Sequence, residues 1–390
     1  MLDVATDGSE AARQRMFSSQ AADLPRSVLP LEVPSTVSAT GSAARRVVLV
    51  GNASQEHFGA HLLAGAEEAQ VDVTLLDLKQ AWSRNKWVNR ISFHLLRRRP
   101  AHLRSYSAHV VETCAALRPD LLLATGIAPL SAAALRAIGR LGIPRANYLT
   151  DDPWNEAKTA GFFWDAAREY DTIFTCRHSH IGDLRALGCK DVRFLWLAYN
   201  PRMHFSEQPA NETERERFAC DIAFVGGGDE TRRKLVLELL RAGCDLKLYG
   251  GYWGDFPDTR AHYRGVALGR DQRLAVSGGL VNLCMGRAAN RDGHAMRSFE
   301  LPAMGACMIA EDTPEHRELF GPEGECAFYY RTPADIVRHV RALRADPERA
   351  RRVGQNAEAR IRTPHNTYAA RLRTMVELVA RREQQPSAVR

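Results

Sequence analysis

The amino-acid sequence predicts an α/β protein with two similarly wound halves, whose mainly parallel sheets face a shared cleft. Short apolar runs alternate with helix-like segments from residue 44 to residue 199, and again from residue 219 to residue 364. Such alternation is typical of parallel sheets covered by helices on both faces. Residues 200–218 are polar, carry two prolines and are the predicted linker between the two domains. Residues 365–390 are predicted to form a C-terminal helix and tail.

The composition is that of a soluble globular protein. Hydrophobic residues make up 45% of the 390 positions and charged residues 25%, and this length accommodates two or three domains. No apolar run approaches the roughly 20 residues that a membrane-spanning helix needs. Residues 1–43 are rich in Ala, Ser and Pro and lack the apolar stretch of a secretory signal. We therefore expect a disordered N-terminal arm on a cytoplasmic protein.

The cysteines indicate neither disulfides nor a metal site. All eight are scattered, without a C-x-x-C pair, and several lie inside apolar runs where Cys behaves as a small buried hydrophobe. The cluster "CRHSH" (Cys176, His178, His180) has the right residue types for a metal but lacks the fixed ligand spacings of zinc sites. We expect no bound metal.

One segment accounts for the basic character of the chain. The net charge is +7, and residues 81–104 alone hold seven bases and no acid, interleaved with Trp, Ile, Phe and Leu. A solvated helix covering one domain explains this pattern, and so does a patch for an anionic acceptor or for peripheral contact at the inner membrane surface. Nucleic-acid binding is disfavoured, because packing explains the aromatic positions equally well.

The elements of the first half follow in order along the chain. The run "RRVVLVG" predicts a strand, "NASQEHFGAH" a glycine-containing turn that enters a helix, and "VDVTLLDL" a second strand. Four further strands are predicted at "PDLLLATG", "IPRANYLT", "DTIFTC" and "VRFLWLA". Helices are predicted at "PLSAAALRAIGRLG" and "HIGDLRALG", so the strands are joined by crossovers and run parallel.

Polar and aromatic side chains at two strand ends are candidates for the acceptor side of the cleft. His57 and Gly59 lie in the turn after the first strand, and Asp152 and Trp154 follow the strand "IPRANYLT". The carboxyl ends of parallel strands share one edge of the sheet, where ligands of such folds bind. A surface or capping histidine, and a carboxylate that caps a turn, are the alternative interpretations.

The second half begins with a glycine loop between a strand and a helix, in "CDIAFVGGGDETRRKL". Gly226, Gly227 and Gly228 allow the backbone to approach an anion, while Arg232 and Arg233 could add charged contacts to a phosphate. A plain tight turn explains the glycines as well. The spacing fits neither G-x-G-x-x-G nor a Walker A loop, which disfavours a dinucleotide dehydrogenase.

The segment "RDGHAMRSFELPAMGACMIAEDTPEHRELFG" combines carboxylates, an arginine and an apolar run. Asp292 and Glu300 with Arg297 suit a ligand that carries both hydroxyl and phosphate groups. Ser298 is the predicted N-cap of a helix that starts near Phe299, because Pro302 sits badly in a helix interior. Glu300 in the first turn would also be favoured by the helix dipole.

The C-terminal half resembles a known family. The run "MRSFELPAMGACMIAEDTPEHRELFG", continuing through "ECAFYYRTPADIVRHVRALRADPERARRVGQNAEARI", resembles the C-terminal domain of CgeB-like, spore-maturation-type glycosyltransferases. These are related to retaining GT-B glycosyltransferases with an E-x7-E signature. Weaker similarity extends over most of residues 45–380. The resemblance implies a GT-B-like fold of two Rossmann-like domains, with the nucleotide sugar bound by the second domain.

The resemblance also implies residue roles. Glu300 matches the second glutamate of the signature, which holds the ribose of the donor in that family. Asp292 stands where the first glutamate would face the transferred sugar, and its shorter side chain departs from the pattern. Asp292 and Arg297 are therefore the catalytic candidates.

The other donor-side residues follow from the same likeness. The loop Gly226–Gly228 with Arg232 or Arg233 matches the phosphate-approaching loop, and Asn282 lies on the strand before the donor loop.

The predicted function is transfer of a sugar from a nucleotide-diphosphate donor to an unknown glycan, protein or lipid-linked acceptor. The family implies a retaining reaction without a metal or other cofactor, in which Arg side chains and helix N-termini stabilise the leaving diphosphate. The alternative is an inactive GT-B-like module that binds a nucleotide or a glycan, because Asp292 departs from the signature and a fold alone does not establish activity.

Overall fold

Two parallel sheets organise the residues that the computed structural model describes, 44–95, 98–155, 160–286 and 293–384. The strands of the first sheet are β1 (Arg45–Gly51), β2 (Val71–Asp77), β3 (Leu121–Thr125), β4 (Arg145–Leu149), β5 (Thr172–Thr175) and β6 (Val192–Phe194). Those of the second are β7 (Cys220–Val225), β8 (Leu246–Tyr249), β9 (Gly279–Cys284), β10 (Met308–Glu311) and β11 (Phe328–Tyr330). The predicted fold class, α/β with two parallel sheets, is confirmed.

Both sheets are wound in the same way. Their strand orders are β2-β1-β3-β4-β5-β6 and β11-β10-β9-β7-β8. In each sheet the connections therefore turn in opposite directions on either side of one point, which lies between β1 and β3 in the first and between β7 and β9 in the second. Such a switch point opens a crevice at the carboxyl ends of the strands, where ligands of open α/β sheets bind.

Helices connect the strands. In the first half they are α1 (Phe58–Ala64), α2 (Ala66–Ala69), α3 (Lys86–Leu95), α4 (Leu103–Leu117), α5 (Ala132–Arg140), α6 (Gly161–Ala167) and α7 (Ser179–Ala186). In the second half they are α8 (Glu212–Phe218), α9 (Glu230–Arg241), α10 (Arg270–Gly278), α11 (Arg297–Ala303), α12 (Pro314–Phe320), α13 (Pro333–Ala345), α14 (Pro347–Ile361) and α15 (Tyr368–Gln384). None of the helices in the described residues is long and apolar enough to cross a membrane.

The strands are apolar on both faces, as burial between two helical layers requires. Along β1, Val47 and Leu49 point into one cluster of buried side chains, and Val48 and Val50 point into another on the opposite face. The first cluster continues through the connection after β6 into the second sheet. The two halves therefore share a common core, and the chain from residue 44 onward forms one compact unit.

The predicted boundaries stay predictions. All strands of the first sheet lie within 44–199 and all those of the second within 219–364, while α8 lies inside the predicted linker 200–218. The predicted arm, 1–43, lies outside the described residues.

The last helix returns to the first half of the chain. Along α15, Tyr368, Ala369 and Leu372 lie in the same buried cluster as Leu62 of α1 and Ala66 of α2. The buried guanidinium of Arg371 donates to the carbonyl oxygens of Trp196 at 2.7 Å and Leu197 at 3.0 Å. These bonds hold α15 against the connection between the halves, because buried carbonyls must find donors.

Gly59 allows α1 to lie directly against the end of β1. A methyl group built on Gly59 would come within 2.6 Å of the carbonyl oxygen of Asn52 and 2.9 Å of the carbonyl carbon of Gly51. Both contacts are with backbone atoms, which cannot rotate away. This close approach sets the position of α1 and of the loop before it.

The contact at Gly59 predicts a loss of stability on substitution. Gly59→Ala should lower the free energy of unfolding by about 1–3 kcal/mol, since the added methyl overpacks the junction. Gly182→Ala in α7 is the matched control: nothing lies within 4 Å of its added methyl, and alanine should raise stability by up to about 1 kcal/mol. Denaturant titration of both variants checks this, and equal effects would contradict the proposed contact.

Candidate functional site

A small cavity of about 40 Å³ lies between the two halves of the chain. The first half contributes the loop after β1 and helix α1, and the second half contributes α11 and the start of α10. Its lining residues are Gln55, Glu56, His61, Met203, His204, Ala267, Leu268, Gly269, Gln272, Arg297 and Glu300. The loop after β1 and the anchor of Arg297 at the end of β7 both lie at a switch point of their sheet, where the topology predicts a ligand.

The cavity holds a buried ion pair on α11. The guanidinium of Arg297 bonds to Oε2 of Glu300 one turn later and also donates from Nε to the carbonyl oxygen of Val225, the last residue of β7, at 2.5 Å. Glu300 is buried, and burial by itself raises its pKa, but the charge of Arg297 and its hydrogen bond to the carboxylate lower the pKa below its usual value. Glu300 is therefore ionised at neutral pH.

His204 lies beside this carboxylate as a neutral ring. Its Nδ1 accepts a hydrogen bond from the backbone N–H of Asn200 at 3.0 Å, so in the neutral ring the proton is on Nε2. Nε2 lies 3.9 Å from Oε1 of Glu300. Burial keeps the ring neutral by lowering the pKa of His204, although Glu300 opposes this shift.

His61 brings the first half of the chain to the same carboxylate. Its ring stacks on Tyr368 of α15 with 4.8 Å between centroids, and it lies 5.6 Å from the ring of His204. Burial lowers the pKa of His61 from 6.5 to about 4, against the opposing effect of Glu300. The buried Nδ1 has no hydrogen-bond partner among the described residues, so the ring holds one unsatisfied polar atom beside the cavity.

The cluster has the residue types of a metal site but not the protonation pattern. One potential ligand atom each of His61, His204 and Glu300 lies within 4.8 Å of the others. A metal would need a lone pair on Nε2 of His204, which carries the proton, and Arg297 already occupies one oxygen of Glu300. The arrangement suits hydroxyl groups better than a cation.

Arg232 ties together the ends of two strands. Its guanidinium donates to the carbonyl oxygens of Gly227 and Met285, both at 2.8 Å, and so bridges the segments that follow β7 and β9. It also lies over the ring of Phe224, 5.4 Å from the centroid. Because these groups occupy the guanidinium, Arg232 shapes the glycine loop Gly226–Gly228 at the switch point rather than projecting from it.

Two other predicted donor-side residues lie apart from the cavity lining. Arg233 pairs with Asp258 and, at 2.8 Å, with Glu230 on the surface. Asn282 is buried in β9, where its amide donates to the carbonyl oxygen of Val276 at the end of α10. Neither side chain is brought together with Glu300, and a direct contact of either with the donor stays a prediction.

The predicted acceptor-side residues do not form one site: some are exposed at the surface and others are buried in the first half. His57 is exposed just before α1, with Nε2 3.8 Å from Glu56. Asp152 is fully buried, accepts a hydrogen bond from the backbone N–H of Trp154 at 3.0 Å, and lies 3.4 Å from Nε2 of His180. Trp154 packs on the ring of His180 at 5.5 Å. Asp152 therefore stabilises the turn after β4, the alternative that its sequence context left open.

Two buried side chains fix the residues just before α11 and its first turn, while Asp292 lies outside the described residues. His294 is buried against Trp196, with ring centroids 4.7 Å apart, and accepts from the backbone N–H of Leu197 at 3.3 Å. Ser298 bonds to Nε2 of His316 at 2.8 Å. The role predicted for Asp292 stays a prediction.

The predicted start of this helix was wrong by two residues. α11 begins at Arg297 with Met296 as its N-cap, and Pro302 lies inside it. Ser298 does not cap the helix, because its hydroxyl is engaged with His316 and with the backbone N–H of Ala295. Pro302 has no N–H to donate to the carbonyl oxygen of Ser298, so the helix lacks that bond, and it ends one residue later.

Sequence reasoning missed His204, Gln272 and Glu56 as lining residues. His204 lies in the polar connection, where no periodicity or motif distinguishes it. Gln272 belongs to a helix and Glu56 to a turn whose partners come from the other half of the chain. No local pattern could have identified these residues, since the cavity forms only when the halves meet.

Comparisons with known proteins agree with this architecture. Residues 232–377 match the family model described as glycosyl transferase-like. Anabaena HepE in complex with UDP-glucose is similar at 11% identity and TM-score 0.60, covering 87% of this chain and 100% of its own. Thermosynechococcus elongatus sucrose-phosphate synthase is similar at 13% identity and TM-score 0.61, covering 87% and 99%.

A third similar structure extends the range of reactions on this fold. A Listeria monocytogenes protein assigned as a UDP-N-acetylglucosamine 2-epimerase is similar at 13% identity and TM-score 0.51, covering 88% of this chain and 98% of its own. No protein of curated function matches the sequence.

The fold is thus GT-B, as the sequence predicted. The second half carries a glycosyl transferase-like domain, which contains Arg232, Arg297 and Glu300. The prediction that the chain is a transferase is confirmed at the level of this domain. The narrower likeness to CgeB-like enzymes and the E-x7-E signature stay predictions.

The pKa of His61 predicts a pH-dependent stability. Between pH 6.5 and about 4 the unfolded chain binds a proton at this ring that the folded protein excludes. The contribution of the neutral ring to the free energy of unfolding is therefore fully present above pH 6.5 and is lost as the pH falls to about 4. His61→Gln should reduce this slope by up to about 1.4 kcal/mol per pH unit, the value for one proton. Denaturant titrations from pH 4 to 7 measure it.

The exposed His109 provides the control for this prediction. His109→Gln replaces the same side chain on α4, away from the cavity, and should leave the slope unchanged. Equal slopes for His61→Gln and the unmodified protein would show that His61 is not held neutral by its surroundings.

Proposed function

We propose that this protein transfers a sugar from a nucleotide-diphosphate sugar to an acceptor, and that it binds the donor at the cavity between its two halves. One observation carries the proposal: an ionised carboxylate, Glu300, is buried at the switch point of the second sheet and is held by Arg297. The glycosyl transferase-like domain spans both residues. HepE, with the same fold, binds UDP and UDP-glucose, so uridine nucleotides are the first donors to test.

The chemistry of the cavity suits the nucleoside end of such a donor. An ionised carboxylate accepts hydrogen bonds from vicinal hydroxyls, which is how Glu300 would hold a ribose. His61 is neutral and adds a second polar group without adding charge. Arg297 binds Oε2, so the hydroxyl groups would bind Oε1, where the neutral ring of His204 lies 3.9 Å away.

The leaving diphosphate would be stabilised by charge already in place. Arg297 is partly exposed and lines the cavity. It is anchored at Val225, the last residue of β7, and the glycine loop Gly226–Gly228 directly follows that strand. Preorganised positive groups stabilise developing negative charge at no cost of reorganisation. We propose a metal-independent, retaining reaction in which Asp292 faces the transferred sugar.

Two alternatives give different products. An inactive module, which the departure at Asp292 keeps open, would bind a nucleotide without turnover. An epimerase, the assignment of one protein with this fold, would convert the donor without an acceptor. Thermal-shift titration with nucleoside diphosphates and their sugars, followed by separation of the products, distinguishes these outcomes, since a ligand that binds the folded state stabilises it by mass action.

Removing the charge of Glu300 should weaken donor binding. Glu300→Gln keeps the size of the side chain but loses charged hydrogen bonds worth about 1.5–3 kcal/mol, so the Kd for the nucleotide should rise about 10- to 100-fold. Glu348→Gln, an exposed change on α14, is the matched control and should leave the Kd unchanged. Calorimetric titration measures both.

Arg297 should matter more for turnover than for binding. Arg297→Ala removes a group proposed to stabilise the leaving diphosphate, so kcat should fall by at least about 100-fold. If Glu300→Gln and Arg297→Ala both left nucleotide-sugar turnover unchanged, the assignment of the site would be wrong.

A further inference from the structure

Helix α3 presents an apolar stripe to solvent. Trp87 is 70% exposed, Ile91 54% and Val88 38%. Ile91 lies four positions after Trp87 and three after Val88, so it is a neighbour of both on the helix surface, and the three side chains form a continuous patch. A tryptophan this exposed has no role in the core that would explain it.

Exposed basic side chains accompany this stripe. Arg90 lies on α3, with its guanidinium 5.9 Å from the centre of the Trp87 ring, and Arg84 is exposed two residues before the helix begins. Between residues 81 and 104 the sequence has seven bases and no acid. An apolar stripe with a flanking excess of positive charge is complementary to an anionic lipid surface, where the stripe enters the interface and the bases meet the headgroups.

The helix is placed at the cleft edge of the first sheet. It follows β2 through a single turn, Leu78–Ala81. In that region Lys79 bonds to Ser54, and Asp77 accepts from the backbone N–H of Ala53 at 3.5 Å. Ser54 directly precedes Gln55 and Glu56, which line the cavity. The basic face and the mouth of the cavity therefore belong to neighbouring segments of the same edge.

We propose that the apolar face of α3, formed by Trp87, Val88 and Ile91, docks on an anionic lipid bilayer together with Arg90 of the same helix and Arg84 just before it. The helix has 10 residues and is about 15 Å long, so it lies along the interface and does not cross it. This deepens the proposed function, on which it rests, by placing the acceptor at a membrane surface. Nucleic acid fits less well, because Ile and Val add nothing to phosphate binding.

Co-sedimentation of the full chain with lipid vesicles tests the docking. The protein should bind vesicles of mixed phosphatidylcholine and phosphatidylglycerol and should not bind vesicles of phosphatidylcholine alone. Salt should release it, since screening weakens the attraction to the headgroups. Arg84→Glu with Arg90→Glu should lower the partition coefficient by about 25-fold or more, and Trp87→Ser with Ile91→Ser should also abolish most of the binding.

Matched controls come from the opposite edge of the first sheet. Leu117 is an exposed apolar residue at the end of α4, and Arg140 is an exposed base at the end of α5. Leu117→Ser and Arg140→Glu make the same kinds of change there and should leave vesicle binding intact. Equal losses in the controls and in the α3 variants would overturn the assignment to α3.

Other outcomes also decide the matter. Binding to RNA but not to vesicles would replace the membrane by a nucleic acid, and a dimer that Trp87→Ser dissolves would replace it by a second copy of the chain. Both would overturn the proposal. Donor binding in solution should be the same for all these variants. A failure of vesicle binding would therefore leave the proposed transferase activity standing, and a failure of donor binding would leave the membrane docking standing.

Discussion

The structure depends on keeping one carboxylate ionised where the two halves of the chain meet. Burying a lone charge costs at least several kcal/mol, so Glu300 can exist there only with partners. Arg297 provides the opposite charge and is itself fixed by the carbonyl oxygen of Val225. His204 adds a proton donor whose tautomer is set by the backbone of Asn200. Arg297 shares α11 with Glu300, whereas Val225 belongs to β7 and His204 to the connection between the halves. The charge therefore makes α11, β7 and this connection mutually dependent.

This dependence explains why the polar groups of the site are fixed before a ligand arrives, whereas the cavity of about 40 Å³ must widen to admit a ribose. Polar groups fixed by other bonds need no rearrangement when a substrate binds, which favours both affinity and rate. Arg232 has the same role at the neighbouring strand ends, where it joins the segments after β7 and β9 through two carbonyl oxygens. The unpartnered Nδ1 of His61 is the exception. An unsatisfied buried nitrogen costs stability, and a polar group of a bound ligand would remove that cost.

Much of the fold could be predicted from the sequence because local residue patterns determine its strands and helices. Buried strands such as β1 and β3 are short apolar runs between turns, and the alternation with helices implies parallel pairing. Glu300 and Arg297 were found because they share one segment with the glycine turn that follows them. The partners of Glu300 were not found, because His204 and Gln272 acquire their role through distant contacts. The start of α11 was missed for a related reason, since Ser298 is occupied by His316 instead of capping the helix.

The return of α15 to the first half has a consequence for synthesis of the chain on the ribosome. The cluster that α15 completes includes Leu62 and Ala66, which are made about 300 residues before it. Until α15 emerges from the ribosome, some of the apolar surface of the first half stays uncovered, even when its own sheet has formed. The core of the first half is therefore completed only when α15 packs against it, and the nascent protein must be kept from aggregating until then.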